Sequence, residues 1–161
     1  MTKRIIIIAL VLLNIGCDQI SKNVVRNNID TRETIELLGK NFILTKVENS
    51  GAMLGFGSEF SPILKILFLQ ALPVIVLLIL LFRILRRQDM NKWLVFAFAC
   101  VIGGGIGNLI DRIAYGQVTD FFYIDLGGYF KTGIFNMADV SVTMGVLLIL
   151  FLSIRYRKLE M

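Results

Sequence analysis

Three short stretches decide how this chain is read: Gly103-Gly-Gly-Ile-Gly-Asn-Leu-Ile-Asp-Arg-Ile113, Gln117-Val-Thr-Asp-Phe121 and Phe135-Asn-Met-Ala-Asp139. An apolar segment precedes them and another follows, so their polar residues collect at one edge of a membrane. An ionisable group at such a place is costly and marks a functional site by default. Asp120 and Asp139 face each other if the chain between them folds back. Like charges held close cannot both ionise, so one carboxyl keeps a proton while the other does not. A pair in that state can activate a water molecule and protonate a leaving group.

Composition sets the class. The 161 residues are 56% hydrophobic, with a mean hydropathy of +0.74. The apolar excess is gathered into long runs, so the chain reads as an integral membrane protein with room for four spans and one domain, residues 1–161. Histidine is absent and there are two cysteines. That composition excludes a His/Cys zinc site and any Ser-His or Cys-His nucleophile. Cys17 and Cys100 lie in apolar runs and are expected to be buried thiols.

In chain order, Lys3 and Arg4 precede an apolar run from Ile5 to Cys17 that is interrupted by Asn14. A cleaved signal peptide is one reading, and Leu13-Asn-Ile-Gly-Cys17 has some likeness to a lipoprotein processing site. Helical periodicity continues through Ile20, Val24 and Val25, so a first span over 5–25 is preferred. Asp18 and Lys22, spaced i,i+4, form a salt bridge near the interface, alone or in support of an active site.

An outer loop, 26–61, carries a strand at Asn41–Val47 and a turn-rich stretch, Glu48–Gly57, that dips towards the membrane surface. Ser61-Pro62 opens a second span, 62–85, kinked at Pro73. Trp93 marks the start of a third, 93–113. No strand precedes its glycines, which discounts a dinucleotide site, and Gly103 and Gly107 form a pair of small residues that admits a neighbouring helix. A second outer loop, 114–135, holds Phe121, Phe122, Tyr123, Tyr129 and Phe130, rings suited to the headgroup layer. The fourth span is 136–154.

Basic residues orient the chain. Lys3, Arg4, the Arg83–Lys92 loop and Arg155 to Lys158 share one side, with Asp89 and Glu160 as its acids. By the positive-inside rule both termini are cytoplasmic and the acidic pair lies near the outer leaflet. The net charge of +5 is then topological, and no nucleic-acid partner is expected.

Bland accounts exist for each polar group. Arg112 could cap its helix, but that leaves Asn108 as an expensive amide among apolar residues. Asn136 and Asp139 fit an N-terminal capping box. Asp111 and Asp125 compete with Asp120, although Asp125 precedes Gly127-Gly128 as in a turn. A serine–lysine mechanism through Ser141 or Ser50 with Lys131 or Lys22 has no support in the spacing.

The chain resembles the lipoprotein signal peptidases, the bacterial type II signal peptidases, over essentially its whole length. The resemblance is carried by Asp18-Gln-Ile-Ser-Lys22, Asn49-Ser-Gly-Ala52, Gly104-Gly-Ile-Gly-Asn-Leu-Ile-Asp-Arg112, Val118-Thr-Asp-Phe121 and Phe135-Asn-Met-Ala-Asp139. It implies an all-α membrane fold of four transmembrane helices, with a small extracytoplasmic β-sheet cradle and a short surface helix. It further implies an aspartic endopeptidase of the inner membrane that cuts diacylglyceryl-modified prolipoproteins just before the lipidated cysteine. Asp120 and Asp139 would be its catalytic pair. Asn49, Gly51, Asn108, Arg112 and Asn136 would hold substrate or orient the pair, with Asp18 and Lys22 in support. A monomer in contact with membrane lipid is expected, with no metal and no cofactor. One departure stands out: Met53-Leu54 follows Gly51-Ala52 where a small residue and an aromatic are usual. Two other readings compete, a proton-pathway protein, which would bury acids mid-membrane, and a non-catalytic scaffold.

Overall fold

A computed structural model of the chain describes residues 2–87 and 89–157; Lys158 and Glu160, assigned above to the basic end, lie outside them. Four long apolar helices carry the chain: α1 (Thr2–Asn28), α2 (Pro62–Arg86), α3 (Lys92–Tyr115) and α4 (Met137–Arg157). Each is long and apolar enough to cross a bilayer. Each overruns its expected span by one to three residues at one end or both, and α4 begins one residue late, because polar end residues keep helical backbone bonds after hydropathy falls.

The helices begin and end as their caps dictate. Ser61 Oγ accepts from the Leu64 amide and Pro62 follows it, starting α2. The kink expected at Pro73 takes the form of a π-helical turn, Ile66–Ala71, just before the proline. Asn91 accepts from the Trp93 amide to start α3. Gly116, at φ 73°, ends α3 in the left-handed conformation and returns its amide to the Arg112 carbonyl. The guanidinium of Arg112 is therefore free of the capping duty considered for it.

Helix α3 is the central element, and its glycines explain why. A Cβ placed on Gly103 would meet Asn14 and Val11 of α1, and one on Gly107 would meet Asp18 of α1. At Gly104 it would strike the Ala138 carbonyl of α4, and at Gly105 the Leu77 side chain of α2. Three helices thus approach one helix on three faces within about one and a half turns, which only glycine allows. Buried Ile7, Val11, Leu77, Ile84, Val95, Ala99, Ile102 and Leu109 fill the layer between α1, α2 and α3.

Three antiparallel strands complete the fold in the order β1 (Thr34–Glu36), β2 (Phe42–Asn49), β3 (Val118–Ile124). The residues alone predicted β2, shifted by one to two positions; β1 and β3 were expected only through the resemblance. The surface helix reduces to a single 3-10 turn, Met53–Gly55. Two expectations are corrected. Cys17 is exposed, because its face of α1 looks away from the bundle, whereas Cys100 is buried. Phe121 is 1% exposed and packs with Val25, Ile29, Leu44, Phe122 and Met137, so it joins the sheet to the helix ends instead of standing in the headgroup layer.

Two glycines separate close packing from helix propensity. Gly104→Ala should destabilise by about 1–3 kcal/mol through overpacking. Gly16→Ala, where a Cβ meets nothing within 4 Å, should stabilise by up to about 1 kcal/mol. Thermal unfolding of both variants in one detergent checks the contrast.

Candidate active site

The site is assembled where α1, α3 and α4 meet the sheet. Asp120 lies in β3, outside the spans, and is 4% exposed. The Asn136 Nδ2 donates to its Oδ1 at 2.6 Å and the Asn49 Nδ2 to its Oδ2 at 3.0 Å. Asp139, in the first turn of α4, accepts from the Asn136 backbone amide at 3.0 Å and from the Asn108 Nδ2 at 2.9 Å. Asn136 therefore donates to both acids, with its side chain to one and its backbone to the other.

The capping box foreseen at Asn136 and Asp139 is present as well. The Asp139 amide donates to the Asn136 Oδ1 at 3.1 Å while Asp139 takes the Asn136 amide in return. Capping and pairing of the acids are one arrangement, not alternatives.

A second layer fixes the amides. Lys22, fully buried, directs its ammonium to the Asp18 Oδ2 at 2.7 Å, the Asp111 Oδ2 at 3.1 Å and the Asn108 Oδ1 at 2.8 Å. All three of its protons are thereby used. The Asn108 Oδ1 also accepts from the Asn136 Nδ2 at 3.1 Å, so the NH2 of Asn108 has only Asp139 to face. Asp18 accepts from the Ala138 amide at 2.9 Å, tying α1 to the start of α4. The salt bridge expected between Asp18 and Lys22 is thus part of the support for the acids. It also removes Lys22 from any role as a base.

A third group shapes the rim. Asn49 accepts from the Gly51 amide at 2.9 Å and donates to the Ala52 carbonyl at 3.1 Å. The Gly51 carbonyl accepts from the Arg112 Nη2 at 3.0 Å. Any Cβ on Gly51 would press on the Gly55 backbone at 2.6 Å, which is why this turn takes glycine. The Arg112 Nε is buried without a hydrogen-bond partner. Leu54, in the departing Met53-Leu54 pair, is held at φ 56° and is 78% exposed; its side chain rests against Gly133.

All nine residues expected at the site are brought into this one network. Four contributors were not expected there. Asp111, considered only as a rival acid, is fully buried and paired with Lys22 and, at 2.7 Å, with Arg26. Gln19 bridges Asp18 and Asp111 with its amide, and Arg26 donates to Thr119 at 2.8 Å beside Asp120. A charged stripe at Asp18, Lys22 and Arg26 on an otherwise apolar helix was the available signal for Arg26. Asp125 turns out to be a turn residue: it accepts from the Gly128 amide and pairs with Lys131 at 3.1 Å.

Electrostatics follow from this crowding. Burial pushes the Asp120 carboxyl up to about 6, helped by the negative charge of Asp139 and opposed by the amide of Asn49. Lys22, Arg26 and Arg112 face Asp18, Asp111, Asp120 and Asp139. Among the described residues no group of three His, Cys, Asp or Glu side chains is placed to hold a metal ion.

Four apolar helices carrying two carboxyls joined through amides at one rim have the architecture of a membrane-embedded aspartic peptidase. Residues 8–155 match the signal peptidase (SPase) II family, and the chain belongs to that family. It is 37% identical over 150 residues to a lipoprotein signal peptidase of Pelodictyon phaeoclathratiforme, covering 88% of this chain and 86% of that one. A lipoprotein signal peptidase of Streptococcus pneumoniae is 30% identical over 150 residues, 93% of each chain. Among solved structures, a bacterial membrane enzyme determined by the in meso method superposes with a TM-score of 0.81 at 28% identity, covering 92% of this chain and 87% of that one. A second, at 27% identity and 90% of each chain, gives 0.77.

Lys22 carries a direct prediction. Lys22→Met leaves buried carboxylates short of a partner and should cost about 3–5 kcal/mol. Adding Asp18→Leu should return part of that loss, a coupling readable as a double-mutant cycle in detergent unfolding.

Proposed function

We propose that Asp120 and Asp139 are the catalytic pair of this signal peptidase II and that its substrates are diacylglyceryl-modified prolipoproteins, cut just before the lipidated cysteine. The observation that carries the reading is the double donation of Asn136 to the two acids. It holds two carboxyls together at the end of the helices, where a peptide bond can meet water while acyl chains stay in the bilayer.

The roles follow from the surroundings. Asp120, buried and raised to about 6, holds the proton and donates it to the scissile carbonyl oxygen. Asp139 sits at the start of α4, where the positive end of a helix accommodates an anion, and takes a proton from the attacking water. The tetrahedral intermediate, now a gem-diol, then collapses: the C–N bond breaks and the amine leaves with the proton that Asp139 has received. One hydroxyl returns its proton to Asp120 as the new carbonyl forms, which restores the pair. Asn108 and Asn49 hold the acids from the far sides. Arg112, with a buried Nε unmatched inside the protein, offers a donor to the substrate backbone.

Charge supports the orientation. Lys3, Arg4, Arg83, Arg86, Arg87, Lys92 and Arg155 occupy the end opposite the site. By the positive-inside rule that end is cytoplasmic, both termini with it, and the acids lie at the outer leaflet of the bacterial inner membrane. Every residue of the network comes from one chain, so a monomer suffices. The spans hold the acids at a rim and not mid-membrane, which disfavours a proton pathway.

Asp120→Asn and Asp139→Asn should each lower cleavage of a lipidated prolipoprotein by about a hundred- to ten-thousandfold while the protein keeps its unfolding temperature. Cleavage by both variants at the wild-type rate would remove the pair from the mechanism. The pH profile gives a second check. The one-proton form is lost as pH rises through about 6, so kcat/KM should fall on that alkaline limb. Asn49 donates to the charged form of Asp120, so Asn49→Leu should move the limb to higher pH.

A further inference from the structure

Asp120 sits where its strand is least regular. Towards β2 the register shifts between Leu44 and Val47, and Val47 is the residue paired with Asp120. On the other edge the Phe121 and Phe122 amides both donate to the Phe135 carbonyl, at 3.0 and 2.8 Å. Two amides on one carbonyl, beside a slipped register, have the geometry of a β-bulge, which re-aims side chains and disrupts the ladder. The amides of Asn49 and Asn136 orient the Asp120 carboxyl, but they do not fix the backbone that carries it.

Thr119, one residue earlier, is held far more tightly. It is fully buried and pairs with Glu48 across the ladder. Its amide donates to the Asp111 Oδ2 at 3.3 Å. Its hydroxyl accepts from the Arg26 Nε at 2.8 Å and donates to the Glu48 carboxylate, whose two oxygens both stand 3.1 Å away. Successive side chains of a strand point to opposite faces. The face with Thr119 and Phe121 lies on the end of α1, at Val25, Arg26 and Ile29. Asp120 is thereby turned to the other face, towards Asn49 and Asn136.

This anchor depends on Arg26. Two acids, Asp111 and Glu48, converge on Thr119, and like charges so placed repel. Lys22 is already engaged by Asp18, Asp111 and Asn108. The Arg26 Nη2 stands 2.7 Å from the Asp111 Oδ2, its Nε meets the hydroxyl shared with Glu48, and the centre of its guanidinium lies 4.3 Å from the centroid of the Tyr115 ring. A rigid, planar fork can serve all three at once. We propose that Arg26 is a positioning residue for the reaction: through Thr119 it fixes the backbone of β3 at the bulge and so holds the Asp120 carboxyl in place opposite Asp139.

The inference rests on the reading of Asp120 as catalytic, and the experiment separates the two. Cleavage of a lipidated prolipoprotein is followed in detergent for Arg26→Met, Thr119→Val and the double variant, with Asp120→Asn alongside and kcat expressed per folded protein. Each of the first two should lower kcat by about ten- to a hundredfold, the loss that a group displaced by about 1 Å brings. KM should stay within about twofold of wild type, because neither side chain binds substrate. The double variant should lose no more than the worse single one, since both remove the same link. Thr119→Ser keeps the hydroxyl and should return kcat to near wild type. Thr119→Val is close to isosteric and neutral, so it carries the test if Arg26→Met does not fold. Wild-type kcat in the folded variants, with only a lower unfolding temperature, overturns the positioning role. So do losses that multiply in the double variant, or a loss confined to KM. Retained cleavage by Asp120→Asn would instead remove the catalytic reading, and this inference with it.

Discussion

An ammonium group inside an apolar bundle costs several kcal/mol unless its protons are all matched and its charge is opposed. Lys22 meets both conditions with Asp18, Asp111 and Asn108, and everything at the rim depends on that solution. The charge holds the Asp18 carboxylate of its own helix, α1, and reaches the Asp111 carboxylate of α3, so it ties those two helices together. By taking the oxygen of Asn108, it decides which way that amide points and so what Asp139 receives. The positions of the acids are set two bonds away from them, by a cation that never touches either.

The second constraint is steric. Such short polar links require backbones close together, and α3 provides this by lacking side chains where α1, α2 and α4 lean on it. Gly107 shows the connection directly, since a Cβ there would meet the Asp18 carboxylate at 2.5 Å. The glycine run and the ion network are therefore one design: the first brings the helices near enough for the second to close.

How much of this was legible follows from the range over which each signal acts. The four spans are local runs of apolar residues, and their places were readable to within a few residues. The Asp18–Lys22 bridge and the Asn136–Asp139 box are contacts within one helix turn and were readable too. The parts of β3 and Asp111 were not. From Val118 to Phe121 the strand is buried without alternation, so it lacks the period that betrays a strand. Asp111 gains its meaning only from Lys22 and Arg26 on another helix, some 85 to 90 positions back along the chain, and no spacing records that. The exposure of Cys17 is hidden from the sequence for the same reason: in a membrane protein an apolar neighbourhood marks lipid as readily as core.

Asn136 ends one structure and begins another, for it starts α4 and also links the two acids. A residue that is needed to nucleate a helix cannot be weakened gradually for the sake of chemistry. Partial variants at this position should therefore be scarce, with changes either tolerated through a retained amide or lost along with the fold. Side chains outside this arrangement are freer to change, as at Met53 and Leu54, which stand exposed on the turn at the rim.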